Sequence, residues 1–179
     1  MGFFKTKEEK AAIQAEKQRK KEKTALFMGV SLQPIGKIAV NQIPSLSLDP
    51  DNQLLYIKYG KDVKISLPYD RIVSFSLQSE TEIMNGGNAG LRALAGGVLF
   101  GAAGATVGAA SAKNKPKKKW VGTLTYKDKS GEIASLSFLE YNLLRLHEYE
   151  GDSKSLSGLD FENLVNGIAS RFSEDITEL

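Results

Sequence analysis

The period of apolar and polar positions changes twice along the chain. Residues 4–24 contain no Pro or Gly and are rich in Lys, Glu, Gln and Ala, all good helix formers, with Phe3, Phe4 and Ile13 as the strong apolar anchors. This pattern predicts a solvated, basic helix tipped by aromatics, lying on a surface or a partner, and it lacks the apolar h-region of a secretory signal. From Leu26 to Glu82 the period becomes that of strands: Ile38-Ala39-Val40, Ser45-Leu46-Ser47-Leu48, Leu54-Leu55-Tyr56-Ile57, Val63-Lys64-Ile65-Ser66-Leu67 and Ile72-Val73-Ser74-Phe75-Ser76-Leu77. Several alternate apolar with polar, as half-buried antiparallel strands do. Asp49-Pro50-Asp51-Asn52 and Gly60-Lys61-Asp62 supply turns between them.

The strand period resumes at Val121-Gly122-Thr123-Leu124-Thr125-Tyr126. It turns at Asp128-Lys129-Ser130-Gly131 and returns as Ile133-Ala134-Ser135-Leu136-Ser137-Phe138, which predicts a hairpin. Leu159, Phe161, Leu164, Val165, Ile168, Ala169 and Phe172 then recur at helical spacing in a stretch opened by Ser157 and Asp160, so an amphipathic helix closes the domain. The expected fold is α+β: about seven short antiparallel strands and a C-terminal helix, preceded by the basic helix and interrupted by an insert.

The strand order, the segment Ile65-Ser66-Leu67-Pro68-Tyr69-Asp70-Arg71-Ile72 leading into a long strand, and the closing helix resemble bacterial pleckstrin-homology-like (PH-like) domains. That resemblance covers residues 26–84 and 120–173. It implies two bent antiparallel sheets forming a half-open barrel plugged by the helix, and a scaffold that binds lipid or protein without a family-wide catalytic residue. The remaining divisions are a basic N-terminal helix at 1–25, an insert at 85–119 and an acidic tail at 174–179.

The insert holds the least ordinary stretch, Ala93 to Ala112, twenty consecutive uncharged residues of which eight are Ala and five Gly. Gly97-x-x-x-Gly101 and Gly104-x-x-x-Gly108 are small-xxx-small repeats, which allow close backbone approach in lipid or in an oligomer core. Twenty residues at about 1.5 Å rise could reach across a bilayer core of about 30 Å. The strongly apolar members are only Leu94, Val98, Leu99, Phe100 and Val107, which together supply roughly −2 kcal/mol of insertion drive. The segment therefore reads as conditional: shielded first, then inserted or zippered on oligomerisation. Because it interrupts a sheet, it must start and end on the same side of a membrane. Two arms of about ten residues turning near Ala102-Ala103-Gly104 could cross as a β-hairpin, and a re-entrant helical pair is the alternative. A Gly/Ala-rich helix packed on its own domain or on another subunit, and a partner-binding loop, are the other readings. Gly86, Gly87 and Gly90 around Asn88 mark a hinge at its base, since glycine permits backbone angles other residues avoid.

Lys113, Lys115, Lys117, Lys118 and Lys119 stand beside Trp120, a combination suited to an anionic lipid surface, where basic residues are attracted and Trp favours the headgroup layer. Lipid is favoured over nucleic acid, because no aromatic stacking platform accompanies the lysines. Across the chain the formal charge of +3 conceals a basic front, with eight basic residues against four acidic in 1–23, and a basic middle, with six and none in 92–119. The end is acidic, with eight acids against two bases in 148–179.

Chemistry is sparsely provided for. There is no Cys, which removes disulfides, thiolate zinc and a Cys nucleophile, and a single histidine, His147, which removes multi-His metal centres. No GxxxxGK[ST] or GxGxxG pattern occurs. Mean hydropathy of −0.24 excludes a multi-span transporter. Met1-Gly2-Phe3-Phe4-Lys5-Thr6 formally fits a myristoylation pattern, but the pattern is short. No enzyme, no metal and no cofactor are expected. The expected partners are further copies of the chain, anionic lipid and a protein trigger. The architecture is similar to pore-forming effectors of anti-phage abortive defence and to phage superinfection-exclusion proteins, which implies a bacterial protein that is cytoplasmic until it associates with the inner membrane.

Overall fold

The computed structural model describes residues 6–79, 82–83, 119–142, 147–148 and 156–174. After a helix α1, Lys7–Thr24, come β1, Leu26–Ser31, β2, Ser45–Asp49, β3, Leu54–Tyr59, and β4, Val63–Pro68. A single 3-10 turn at Tyr69–Arg71 leads into β5, Ile72–Ser79, followed by β6, Trp120–Lys127, and β7, Ile133–Asn142. A two-residue β8, His147–Glu148, pairs with the end of β7, and helix α2 spans Leu156–Glu174. The fold is α+β, and its seven main strands form one open antiparallel sheet in the order β4-β3-β2-β1-β7-β6-β5.

The sheet changes partners within β1. Leu26, Phe27 and Met28 pair with β2, whereas Gly29, Val30 and Ser31 pair with β7. One six-residue strand thus joins a β1–β4 half to a β5–β7 half. At the switch a Cβ on Gly29 would lie 2.6 Å from Cβ of Phe138, so only glycine allows this approach. The concave side holds one core. Phe27 meets Phe75 at 5.1 Å between ring centroids, Phe161 at 5.8 Å and Phe138 at 6.4 Å, and Phe75 meets Phe161 edge-on at 5.1 Å. Offset and edge-on contacts of this kind add to the burial of the rings themselves. Phe161, Val165, Ile168 and Ala169 of α2 are the buried stripe facing them.

Helix α2 also covers an edge of the sheet. Asn166 forms a reciprocal pair with Phe75, the Phe75 N–H donating to Oδ1 at 2.8 Å and Nδ2 donating to the Phe75 carbonyl at 2.9 Å. The Leu77 N–H donates to Glu162 Oε1 at 3.0 Å. These side chains satisfy backbone groups that an edge strand would otherwise offer to another chain.

Most predicted elements appear at their predicted places, with two corrections. Ile38-Ala39-Val40 is not a strand. Ile35 and Ile38 form an isolated bridge around Gly36, at φ 57°, and both isoleucines point into the core from a loop. The apolar residues there are buried by packing, without a ladder. The strand that replaces it is β1, a run of apolar residues around Gly29 that alternation alone does not resolve. The turns follow the residues expected to make them: Asp49 Oδ1 accepts from the Asp51 and Asn52 N–H groups at 3.2 Å, and Asp128 Oδ1 from those of Ser130 and Glu132 at 2.8 and 3.0 Å.

Two glycines test the packing in opposite directions. A Cβ on Gly122 would come within 2.8 Å of both the Phe27 and Phe75 rings, so Gly122→Ala is expected to destabilise the domain by about 1–3 kcal/mol. Gly167, inside α2 and exposed, has nothing within 4 Å of such an atom, so Gly167→Ala should stabilise by about 0.5–1 kcal/mol. Urea unfolding of both variants measures this, and a Gly122→Ala variant as stable as the parent would refute the close approach.

Candidate functional site

The root of the insert is built from the facing ends of two neighbouring strands. β5 and β6 pair antiparallel, and their terminal partners are Ser79 and Trp120. The two points where the chain leaves and rejoins the sheet therefore lie side by side. The exit is capped: the Ser79 N–H and Oγ donate to Glu82 Oε2 at 2.6 and 2.9 Å, and the Glu82 N–H donates back to Ser79 Oγ at 3.3 Å. That turn brings Ile83 onto the convex side of the sheet, where it is buried with Leu32, Val121 and Leu139 and packs with Val30. As a result β6 and β7 bury both faces near the root. Thr123 and Ser137 share this convex side and are buried too.

The structure places two of the residues selected from the sequence. Trp120 is 6% exposed and packs in the main core, which corrects its reading as an interfacial aromatic: its indole is occupied by the domain and is not free for a headgroup layer. Lys119 is half-buried in an isolated bridge at the root. Gly86, Gly87, Gly90, Leu94, Gly97, Val98, Leu99, Phe100, Gly101, Gly104, Val107, Gly108, Lys113, Lys115, Lys117 and Lys118 lie outside the described residues.

A second assembly joins α1 to the domain by charge. Its first turn is closed by a capping box, the Glu9 N–H donating to Thr6 Oγ1 at 3.2 Å and the Thr6 N–H to Glu9 Oε2 at 3.0 Å. Towards its C-terminal end Arg19 and Lys23 both engage Asp51 of the β2–β3 turn, Lys23 at 2.5 Å. These cations hold the Asp51 carboxyl below its usual 3.8, Lys23 having the larger effect. Glu22 is 3% exposed, accepts from Arg171 of α2 at 2.9 Å and from Gln18 Nε2 at 3.3 Å. Beside it Tyr69 stacks edge-on against Phe172, and burial, reinforced by Glu22 and Asp49, pushes its hydroxyl pKa up. The pairs that reach the domain have no local sequence signal, since Arg19 and Asp51 are 32 positions apart and Glu22 and Arg171 are 149.

On the sheet surface Lys58 and Lys64 are direct cross-strand partners, and both ammonium groups lie over the Tyr56 ring, at 5.1 and 3.7 Å from its centroid. The ring offsets part of a like-charge pairing that is otherwise unfavourable. Among the described residues no three His, Asp or Glu side chains are grouped to hold a metal ion, and no helix is long and apolar enough to cross a membrane. Comparison with protein-family models, with curated proteins and with solved structures finds no match.

The clasp on α1 makes two predictions. Arg171→Ala leaves the buried Glu22 carboxylate without its charged donor, which should destabilise the protein by about 1–3 kcal/mol and lower amide protection along α1 in hydrogen exchange. Unchanged protection would show that this pair does not hold the helix. Because the folded pKa of Asp51 is depressed, its contribution is present above the ordinary aspartate value and is lost as pH falls through and below 3.8. Asp51→Asn should weaken α1 protection at pH 6 and shrink the further loss seen at pH 3. An identical loss in parent and variant would exclude Asp51 from the clasp.

Proposed function

We propose that this chain is a non-enzymatic, oligomerising protein whose glycine-zipper segment acts on the membrane, forming a pore or otherwise disrupting the bilayer, in bacterial anti-phage defence after activation by a protein partner. The observation that carries the reading is the pairing of Ser79 with Trp120 at the root of an insert containing twenty uncharged residues. With both stalks at one point, the segment can leave the domain and return while the β5–β6 ladder stays paired. This geometry suits a hairpin or re-entrant pair, which begins and ends on one side of the bilayer. Two antiparallel half-sheets joined through β1 and closed by α2 support a PH-like frame for that segment.

The weak insertion drive of roughly −2 kcal/mol means that neighbours must stabilise the inserted form, and Gly97, Gly101, Gly104 and Gly108 supply the close-packing surface for them. A partner that favours the released form by a few kcal/mol turns a rare state into the dominant one. The protein is then cytoplasmic until triggered and inner-membrane associated afterwards, with Gly86, Gly87 and Gly90 as the hinge and the Lys113–Lys119 flank meeting anionic headgroups.

A second reading is a soluble PH-like lipid- or protein-binding module whose insert packs as an oligomer helix. The apolar cluster of Leu32, Ile83, Val121 and Leu139 beside the root favours it, because it extends burial to the convex side where the insert begins. The two readings separate on one comparison. Gly101→Leu and Gly104→Leu should leave the domain folded by circular dichroism while abolishing oligomers and dye release from anionic liposomes. If the parent oligomerises but never releases dye, the soluble module is correct; unchanged assembly in both variants removes the zipper.

A further inference from the structure

We propose that α1 is a second anionic-membrane contact that orients the whole domain on the bilayer, through a line of lysines formed by Lys7, Lys10, Lys17 and Lys21. The inference rests on the membrane reading above and concerns a surface that the insert does not supply. At 100° per residue these four lysines and Gln14 fall within an arc of about 80°, at spacings of three and four residues that keep them on one side for about 21 Å of helix. All five are exposed. Every acidic residue of α1, Glu8, Glu9, Glu16 and Glu22, projects outside that arc, so the helix is sorted by charge although it has almost no apolar face.

The sorting has a structural counterpart. Arg19, Glu22 and Lys23, three of the charged residues outside the arc, are engaged by Asp51 and Arg171 of the domain, while Glu16 and Lys20 pair with each other along the helix. The inward charges hold α1, and the outward lysines are left as an acid-free row. A straight row on a helix held to the domain at its C-terminal end matches a flat array of negative groups, where each lysine strengthens binding to an anionic leaflet about fivefold. No aromatic side chain occurs within α1 itself to stack on bases, which sets lipid above nucleic acid.

The test uses the full chain and vesicles of phosphatidylglycerol with phosphatidylcholine. Replacing Lys7, Lys10, Lys17 and Lys21 by Gln should weaken vesicle binding by about a hundredfold or more at low salt. A control with the same charge change, Lys37, Lys61, Lys64 and Lys129 to Gln, should weaken it only a few-fold. The absence of native cysteine permits a positional readout: an environment-sensitive dye on Gln14→Cys should shift to the blue on adding vesicles, whereas one on Ala12→Cys, on the opposite side of the helix, should not. Equal losses in the two lysine variants, or equal shifts at positions 12 and 14, would overturn the proposal. Loss of single-stranded DNA binding with vesicle binding intact would overturn it in favour of nucleic acid. Dye release is read separately, so a parent that binds through α1 yet never permeabilises vesicles refutes the insert's activity and leaves the α1 contact standing.

Discussion

Four phenylalanines hold the structure together. Phe27, Phe75, Phe138 and Phe161 come from β1, β5, β7 and α2, so their contacts join both halves of the sheet to the closing helix. The rings can meet only because the backbone beside them is bare. Gly29 and Gly122 each occupy a place where a Cβ would strike one of the rings or its stem. Close packing makes such positions unforgiving, since an added methylene has to move a ring already in contact on its other sides. β1 is bonded on both edges beside these rings: Leu26–Met28 pair with β2 and Gly29–Ser31 with β7, while the Gly29 and Ser31 N–H groups still donate to the Pro44 and Gln42 carbonyls leading into β2.

Helix α2 acts twice on β5. Its apolar stripe fills the core, and Asn166 and Glu162 occupy the free backbone positions of the strand. The strand that carries the insert is thus paired to β6 on one side and capped by a helix on the other. This makes the root a fixed point, and the Ser79–Glu82 cap directs the outgoing chain to the convex side. A segment leaving from such a root can change its surroundings without loosening the sheet, which is the mechanical requirement of the proposed membrane action.

The N-terminal helix obeys a different physics. It has little apolar surface to bury, so its position depends on Asp51 and on the pairing of Glu22 with Arg171. Exposed pairs contribute little individually, but a carboxylate as deeply buried as Glu22 makes loss of its partner expensive. Attachment through charge also makes the helix sensitive to salt and acid in a way the phenylalanine core is not.

The amino-acid sequence by itself determined β2 to β7 and α2, because their alternation and helical spacing are local, and it determined the turns at Asp49 and Asp128, whose side chains bond to the next few backbone groups. It also singled out the uncharged segment and its flanking lysines, since charge and composition need no fold to be seen. Tertiary structure decided the rest. Leu26 to Val30 reads as an apolar run, and only pairing with two different strands makes it β1. Ile38 is apolar because it is buried from a loop, which a period cannot distinguish from a strand. Trp120 beside five lysines looks interfacial until the ladder to Ser79 turns its ring into the core. The Asp51 clasp and the Glu22 pairing with Arg171 link residues far apart in the chain, and their energy exists only where folding brings the charges within reach and removes water from around them.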